Sequence, residues 1–438
     1  MIARWSRHLS GRPGLARVVS SIVWLGIDRG MRLFFGLIIG VWIARHLGPD
    51  DFGQLSFATV FASLFSVVSK LGIERILVRD LVRHPERTNE ILGSAFMLKL
   101  VASFVAMFAS IGAIWVMRPH DTLAHTLVGI VSLAYAVDAF ETIEHYFQSQ
   151  VTPKYSVWAR NGALAVMSLT RVLLIKVNAP LVAYAWTQVA ETVLGSAAII
   201  LLNRRHGIPI SSWKPVTKTA FRLVAESWPQ MLGAVAITIY MRIDAVMLRE
   251  MAGEHEVGIY AAATRISEIW YVIPLAMLAS VFPSVVKVRE TNPALYQQRL
   301  LRLFSLMSGM SLVLAVPIAF LSVPLVRLVY GAEYLAAGPV LAVHIWASLF
   351  VFLGNAQETW NIAEGLIRLT LYRTLAGAVI NVVLNLVLIP RYGSLGAAWA
   401  TVVSYAFAAV FGNLFDRRTR PIFVLQMKSL FFPRYLFA

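Results

Sequence analysis

The sequence predicts an all-α polytopic membrane protein with twelve transmembrane helices in two six-helix lobes. Three observations support this fold class. The 438 residues are 58% hydrophobic and only 14% charged, whereas soluble domains carry about 25% charged residues. The apolar residues form runs long enough, at about 20 residues each, to cross a bilayer as helices. Motifs from the first half of the chain also recur in the second half.

Each apolar run is counted as one span, which gives twelve. The spans lie near residues 20–46, 52–74, 90–116, 122–147, 156–177, 180–203, 219–249, 256–286, 298–325, 335–362, 367–390 and 394–415. Most of the 39 Lys and Arg residues lie at the two ends and in alternate loops. The positive-inside rule therefore predicts that both termini are cytoplasmic. The same rule accounts for the net charge of +16 without a nucleic-acid partner.

The beginning of the chain shows no cleavable signal, because its basic residues lead into an apolar run that is too long for a signal peptide. The first helix is therefore expected to remain in the mature protein. The chain has no cysteine, which excludes disulfides, thiolate metal sites and cysteine nucleophiles.

Two pairs of matching segments indicate an internal duplication. "HLGPDDFGQLSFA" superposes on "MAGEHEVGIYAAA", which places Gly48 on Gly253 and Gly53 on Gly258, and "LVAYAWTQV" superposes on "LGAAWATVV". Six spans per copy is an even number, so the copies are related by a parallel pseudo-two-fold axis along the membrane normal. A solute site is then expected between the lobes. The predicted domains are an N-terminal lobe (1–204), a cytoplasmic linker (205–218), a C-terminal lobe (219–416) and a basic cytoplasmic tail (417–438).

Three stretches resemble the signature segments of bacterial polysaccharide or oligosaccharide flippases. They are "ARHLGPDDFGQLSFA", "RIDAVMLREMAGEHEVGIYAAATRISE" and "VINVVLNLVLIPRYGSLGAAWATVVSY". These flippases belong to the multidrug/oligosaccharidyl-lipid/polysaccharide exporter superfamily. The resemblance implies a V-shaped central cavity and alternating access in the bacterial inner membrane. It also implies a cargo of undecaprenyl-pyrophosphate-linked oligosaccharide, moved from the cytoplasmic to the periplasmic leaflet for cell-surface polysaccharide synthesis. Membrane lipid, a polysaccharide polymerase and its chain-length machinery are the other partners it implies.

Charges inside apolar spans are costly and usually mark a transport pathway. In "WLGIDRGMRLFFGLIIG" the first span carries Asp28, Arg29 and Arg32. Asp28 and Arg32 are four residues apart and can neutralise each other. Alternatively, an arginine faces the cavity and binds the pyrophosphate, since guanidinium stays charged and contacts two oxygens at once. Superfamily resemblance places arginines of the first and eighth helices in the cavity, which adds Arg265 here.

Four charges in "IYMRIDAVML" and "AAATRISEIW", in the seventh and eighth spans, are also candidates. Arg265 and Glu268 can form a local pair, whereas Arg242 and Asp244 are two residues apart and need partners elsewhere. The predicted pyrophosphate ligands are thus Arg29, Arg32, Arg265 and Arg242. Asp244 is either paired with an arginine or available to bind H⁺ or Na⁺.

The fourth span carries Asp138, Glu141 and His145, spaced as one polar stripe along a helix. The stripe is either a solvated collar at the end of the span or a charge balance for the first-span arginines. These three residues, with Asp28, Asp244 and Glu268, are the predicted ion-coupling or charge-balancing groups. No metal and no catalytic residue is expected.

Two other functions compete with the flippase. A polysaccharide polymerase or ligase is disfavoured because no external loop much exceeds about a dozen residues, and because no nucleotide-binding loop, zinc-protease motif or serine elbow occurs. A cation-coupled drug antiporter of the same superfamily is the stronger alternative. Two arginines against one aspartate on the first span favour an anionic cargo.

Overall fold

The chain is mainly helical over the residues that the computed structural model describes, which are 13–289 and 292–431. The α-helices are α1 (Pro13–Lys70), α2 (Glu74–Arg83), α3 (Thr88–Met117), α4 (Thr122–Ser132), α5 (Glu141–Ser149), α6 (Lys154–Lys176), α7 (Leu181–His206), α8 (Thr217–Ala252), α9 (Glu254–Glu268), α10 (Val272–Arg289), α11 (Pro293–Phe320), α12 (Ser322–Tyr330), α13 (Ala337–His344), α14 (Ala347–Ala363), α15 (Ile367–Ala409) and α16 (Arg420–Phe431). Predicted features at residues 1–12 and 432–438 lie outside the described residues.

Eight helical stretches within the described residues are long and apolar enough to cross a membrane. Two of them contain a sharp break at a glycine in the left-handed region. Gly48 breaks α1 with a φ of 73°, and Gly393 breaks α15 with a φ of 55°. Glycine suits both positions because it has no Cβ to clash there. The all-α membrane fold is confirmed, and the count of twelve spans stays a prediction.

The chain forms two compact units. The first comprises the described residues up to His46 together with Ala58–Val235, and the second comprises Leu47–Phe57 together with the described residues from Ala236 onwards. The second unit thus includes the broken middle of α1. The domain boundaries expected from the sequence stay a prediction.

Each unit has its own apolar core. In the first unit, Leu77, Ile91 and Phe147 are almost completely buried. In the second unit, Phe304 and Phe352 form the centre of the core. Many large apolar side chains are instead exposed, as expected for helices that face lipid. Burial of these cores provides the rigid support on which the charged side chains are held.

The connection between α7 and α8 is hydrogen-bonded to α3 within the first unit. The backbone N–H of Lys214 donates to the Asn89 carbonyl at 3.0 Å, and Val216 N–H donates to the Ser94 hydroxyl at 2.9 Å. Gly93 permits this approach, because a Cβ there would lie 2.7 Å from the Lys214 backbone. The segment is therefore held by backbone hydrogen bonds.

Candidate functional site

Two of the three charges in the segment "WLGIDRGMRLFFGLIIG" neutralise each other. Asp28 Oδ1 accepts hydrogen bonds from Arg32 Nε at 3.2 Å and from Asn161 Nδ2 at 3.0 Å. The Arg32 side chain is 34% exposed, whereas that of Asp28 is 13% exposed. Arg32 is therefore paired with Asp28, and its side chain remains partly exposed.

Arg29 and Arg265 are exposed on their respective units. Within the described residues, no acidic side chain forms an ion pair with either guanidinium. Arg265 lies over the ring of Phe52, with 5.7 Å between its guanidinium carbon and the ring centroid. Such a cation–π contact orients the side chain while leaving its N–H donors available.

Arg242 and Glu268 form an ion pair between α8 and α9. Their closest nitrogen and oxygen atoms, Nη1 and Oε2, are 3.5 Å apart. Glu268 on α9 thus pairs with Arg242. The local ion pair of Glu268 with Arg265 does not form. The spacing rule allowed the local pair of Arg265 with Glu268, whereas the contact between α8 and α9 pairs Glu268 with Arg242.

The polar stripe predicted for the fourth span does not follow one α-helix. Residues Leu133–Phe140 form a 3₁₀ helix, and α5 begins at Glu141. Side chains three residues apart share a face in a 3₁₀ helix, and those four apart share a face in an α-helix, so the spacing from Asp138 to Glu141 and His145 is compatible with the change of helix type. Asp138 accepts a hydrogen bond from Ser69 at 2.7 Å.

Glu141 pairs with a lysine that the sequence analysis did not single out. Lys99 on α3 is fully buried, and its Nζ lies 2.6 Å from Glu141 Oε2. A buried ammonium needs an opposite charge and hydrogen bonds to offset the loss of water. Glu141 supplies both, so its first role in the structure is to neutralise Lys99.

His145 lies beside this pair. Its side chain is buried, and its Nε2 has no hydrogen-bond partner within the described residues. Donor atoms of Glu74, Glu141 and His145 lie within 4.8 Å of one another, so by distance alone the three could hold a cation. The Lys99 ammonium on Glu141 opposes a second positive charge there. The absence of a metal from the function stays a prediction.

Asp244 occupies a polar pocket inside the second unit. Its side chain is 2% exposed. Oδ1 accepts from Asn385 Nδ2 at 2.6 Å, and Oδ2 accepts from the hydroxyls of Thr401 at 2.6 Å and Tyr260 at 2.8 Å. Asn385 also donates to Asn381 Oδ1 at 3.1 Å. No lysine or arginine within the described residues forms an ion pair with this carboxyl group.

An oxygen atom in the Asp244 pocket is also unsatisfied. Asn385 Oδ1 is buried without a hydrogen-bond partner within the described residues. Buried polar atoms are usually hydrogen-bonded, so an unsatisfied oxygen beside a carboxyl group without a cationic partner calls for an explanation. The arrangement can hold a proton on the carboxyl group, or a small cation among several oxygen atoms.

Several partners of the predicted residues carried no distinctive sequence signal. Lys99 lies alone in the run "FMLKLVASFV", and its charge inside an apolar span was the available clue. Tyr260 and Thr401 lie 16 and 157 residues from Asp244 along the chain, and ordinary residue types such as these reveal a contact only once the helices are packed.

Comparison with known proteins places these sites in a family. The family profile described as "Polysaccharide biosynthesis protein" matches residues 18–289, which is more than half of the chain. The chain belongs to the polysaccharide biosynthesis protein family. A second profile, MatE, matches residues 229–387 of the same chain.

Curated relatives of the family member include two proteins of the archaeon Haloferax volcanii. "Probable low-salt glycan biosynthesis flippase Agl15" is 23% identical over 87% of this chain and 81% of its own length. "Probable flippase AglR" is 25% identical over 86% of this chain and 79% of its own length. Capsular polysaccharide biosynthesis protein CapF of Staphylococcus aureus is 20% identical, over 86% of this chain and 93% of its own length.

Solved structures with the same fold include two transporters. An inward-facing multidrug resistance MATE family transporter of the MOP superfamily gives a TM-score of 0.75 at 16% identity, covering 93% of this chain and 99% of the transporter. The lipid II flippase MurJ in an inward closed conformation gives 0.69 at 15% identity, covering 94% and 91%. At 15–16% identity, the similarity to these two structures establishes the fold of this chain.

Proposed function

We propose that this protein is a flippase that moves undecaprenyl-pyrophosphate-linked oligosaccharide from the cytoplasmic to the opposite leaflet by alternating access. The relatives named as glycan and capsule biosynthesis proteins match most of the chain, and they support a glycan cargo. We place the protein in the bacterial inner membrane with both termini cytoplasmic, where a polymerase and its chain-length machinery would use the product.

One observation carries the anionic-cargo part of the proposal. Two other arginines within the helical spans are paired with acids inside the first unit, Arg160 with Glu144 at 2.7 Å and Arg171 with Glu191 at 2.8 Å. Arg29 and Arg265 are exposed without such a pair in the described part of the chain. Unpaired guanidinium groups suit a pyrophosphate, because each remains charged and can donate two parallel hydrogen bonds to its oxygens.

In this proposal the paired arginines play a secondary part. Arg32 and Arg242 can exchange Asp28 and Glu268 for a phosphate oxygen as the cargo passes. Such an exchange keeps the number of charge-assisted hydrogen bonds roughly constant, so the cargo can be held and then released. Arg29 and Arg265 contribute binding free energy throughout.

Reconstituted transport tests the arginine assignment. Wild-type protein in liposomes should move a lipid-pyrophosphate-linked oligosaccharide to the leaflet where an added lectin or glycosidase reaches it. Arg29→Ala and Arg265→Ala should each slow transport by about tenfold or more, because a charge-assisted hydrogen bond contributes about 1.5–3 kcal/mol. Arg327→Ala is the matched control, since Arg327 is an exposed arginine of the second unit at the end of α12. Full transport by both test variants would refute the assignment.

We further propose that Asp244 is the ion-coupling group and that its ion is H⁺ or Na⁺. A buried carboxylate without a cationic partner is costly, and either ion would remove that cost. The hydroxyl groups of Thr401 and Tyr260 and the amide nitrogen of Asn385 donate to the carboxyl group, and the unsatisfied Asn385 Oδ1 is a further oxygen atom of the pocket. A cation gradient would then drive the transport cycle through this pocket.

A cation-coupled drug antiporter is the second candidate, because the MatE profile matches residues 229–387. The two functions differ in cargo charge. Cells that overproduce an antiporter should expel ethidium and survive cationic drugs better than cells that produce Asp244→Asn. Cells that overproduce the proposed flippase should show no such resistance.

An enzymatic polymerase or ligase is less favoured, since the relatives with functional names are flippases and a capsule biosynthesis protein.

A further inference from the structure

We propose that a basic cavity beside the C-terminal segment binds the phosphate group of an anionic membrane phospholipid, independently of the transported cargo. The cavity has a volume of about 500 Å³ and lies within the second unit. Its lining includes Arg368 and Tyr372 at the start of α15, Gly365 in the preceding turn, and Arg418 before α16.

The two arginines give the cavity its positive charge. Arg418 donates to both oxygens of Asp416, with Nη2 2.9 Å from Oδ2 and Nε 3.2 Å from Oδ1. This contact fixes the guanidinium plane and leaves the Nη1 donors available. Arg368 is exposed, and no acid in the described ranges forms an ion pair with it. The cavity therefore retains a guanidinium without a counter-charge.

Exposed apolar side chains place the cavity at the level of the lipid headgroups. Phe411, Leu414 and Phe415 are 45%, 41% and 79% exposed, and the charged residues from Asp416 to Arg418 follow them directly. Aromatic side chains collect where hydrocarbon meets the headgroups, and basic residues collect just outside. A phosphate at this depth would come from a lipid.

An exposed apolar stripe continues from the cavity along α15. Tyr372, Leu375, Val379, Val383 and Leu386 follow one another at spacings of three or four residues, and each is at least 44% exposed. Such spacing places them on one face of the helix. A phosphate group beside the arginines with an acyl chain along this stripe matches the two ends of a phospholipid, whereas a soluble phosphate would use the arginines alone.

Native mass spectrometry of the full chain, purified with phosphatidylglycerol, tests the proposal. Wild-type protein should retain phosphatidylglycerol in preference to phosphatidylcholine. Arg368→Gln and Arg418→Gln should each lower the retained fraction by about fivefold. Arg417→Gln removes the same charge one residue from Arg418 but does not line the cavity, so its retention should equal that of the wild type. Equal losses in all three variants would show diffuse attraction to the basic segment and would overturn the proposal.

A labelling experiment keeps the test decisive if an arginine variant folds poorly. The chain has no cysteine, so Tyr372→Cys provides a single site for a fluorophore. Brominated phosphatidylglycerol should quench that fluorophore more strongly than brominated phosphatidylcholine at equal mole fraction. Equal quenching would refute the site. Loss of the preference on adding millimolar inorganic phosphate would show a site for soluble phosphate, which also overturns the proposal.

Discussion

The backbones of Gly53 and Gly258 pack against each other with no space for a side chain. A Cβ at Gly53 would lie 2.0 Å from the Glu254 carbonyl oxygen, and one at Gly258 would lie 1.9 Å from the Pro49 carbonyl oxygen. Both glycines belong to the second unit, one on the segment Leu47–Phe57 and the other on α9. The two glycines that match in the internal repeat thus contact each other directly.

Gly258→Val should destabilise the second unit by about 1–3 kcal/mol, because inserting atoms into close-packed structure forces the backbone apart. The measurement is the temperature at which the detergent-solubilised protein loses its monodisperse peak in size-exclusion chromatography. Gly112→Ala is the control, since a Cβ at Gly112 in α3 meets nothing within 4 Å. Helical Gly→Ala changes in open space are neutral or stabilising. Equal melting temperatures for the wild type and Gly258→Val would contradict the close packing.

Sequence reasoning predicted the class of fold because the signals are local. Apolar runs give spans, and loop charges give orientation. The repeat identified Gly53 and Gly258 as equivalent, but equivalence in a duplication carries no information about contact. Their direct packing therefore had to come from the structure.

The candidate site was less predictable, because partners come from helices distant in sequence. The pairing of Asp28 with Arg32 follows from their spacing and was one of the two alternatives. Lys99 with Glu141 and Arg242 with Glu268 depend on how helices pack, which no spacing rule covers. The 3₁₀ helix that contains Asp138 also lacks a distinctive composition, so the sequence did not reveal that the polar stripe runs across two types of helix, and the role of the stripe stays a prediction.

Lys99→Met should strongly destabilise the first unit. It leaves Glu141 without its cation, and breaking a buried pair from one side costs about 3–5 kcal/mol. Glu141→Gln should cost a similar amount, because the fully buried Lys99 would then be unpaired. The double variant should recover much of the loss, since an apolar and amide pair of similar volume leaves no buried charge. Thermal unfolding of the four proteins measures the coupling, and additive losses would contradict a direct interaction.

Labelling tests the predicted topology. Ser211 and His255 are both exposed, the first in the connection between α7 and α8 and the second on α9. Ser211→Cys should react with a membrane-impermeant maleimide only in inverted vesicles, because its segment is predicted to be cytoplasmic. His255→Cys should react only in intact cells or right-side-out vesicles. The cysteine-free wild type gives the background. Labelling of both positions from one side would overturn the orientation.

Asp244→Asn should uncouple transport from its ion while preserving the fold. The amide has the shape of the carboxyl group and can still accept from Thr401 and Tyr260, so the pocket keeps most of its hydrogen bonds. It carries no charge and neither binds a proton in the relevant range nor attracts a cation.

If Na⁺ is the ion, replacing choline chloride with sodium chloride should raise the melting temperature of the wild type and leave that of Asp244→Asn unchanged. If H⁺ is the ion, sodium should have no effect, and a pH gradient should accelerate transport by the wild type alone. Asp50→Asn is the control, because the Asp50 side chain is 70% exposed in the same unit, and it should behave as the wild type. An Asp244→Asn variant that keeps the ion response would place the coupling site elsewhere.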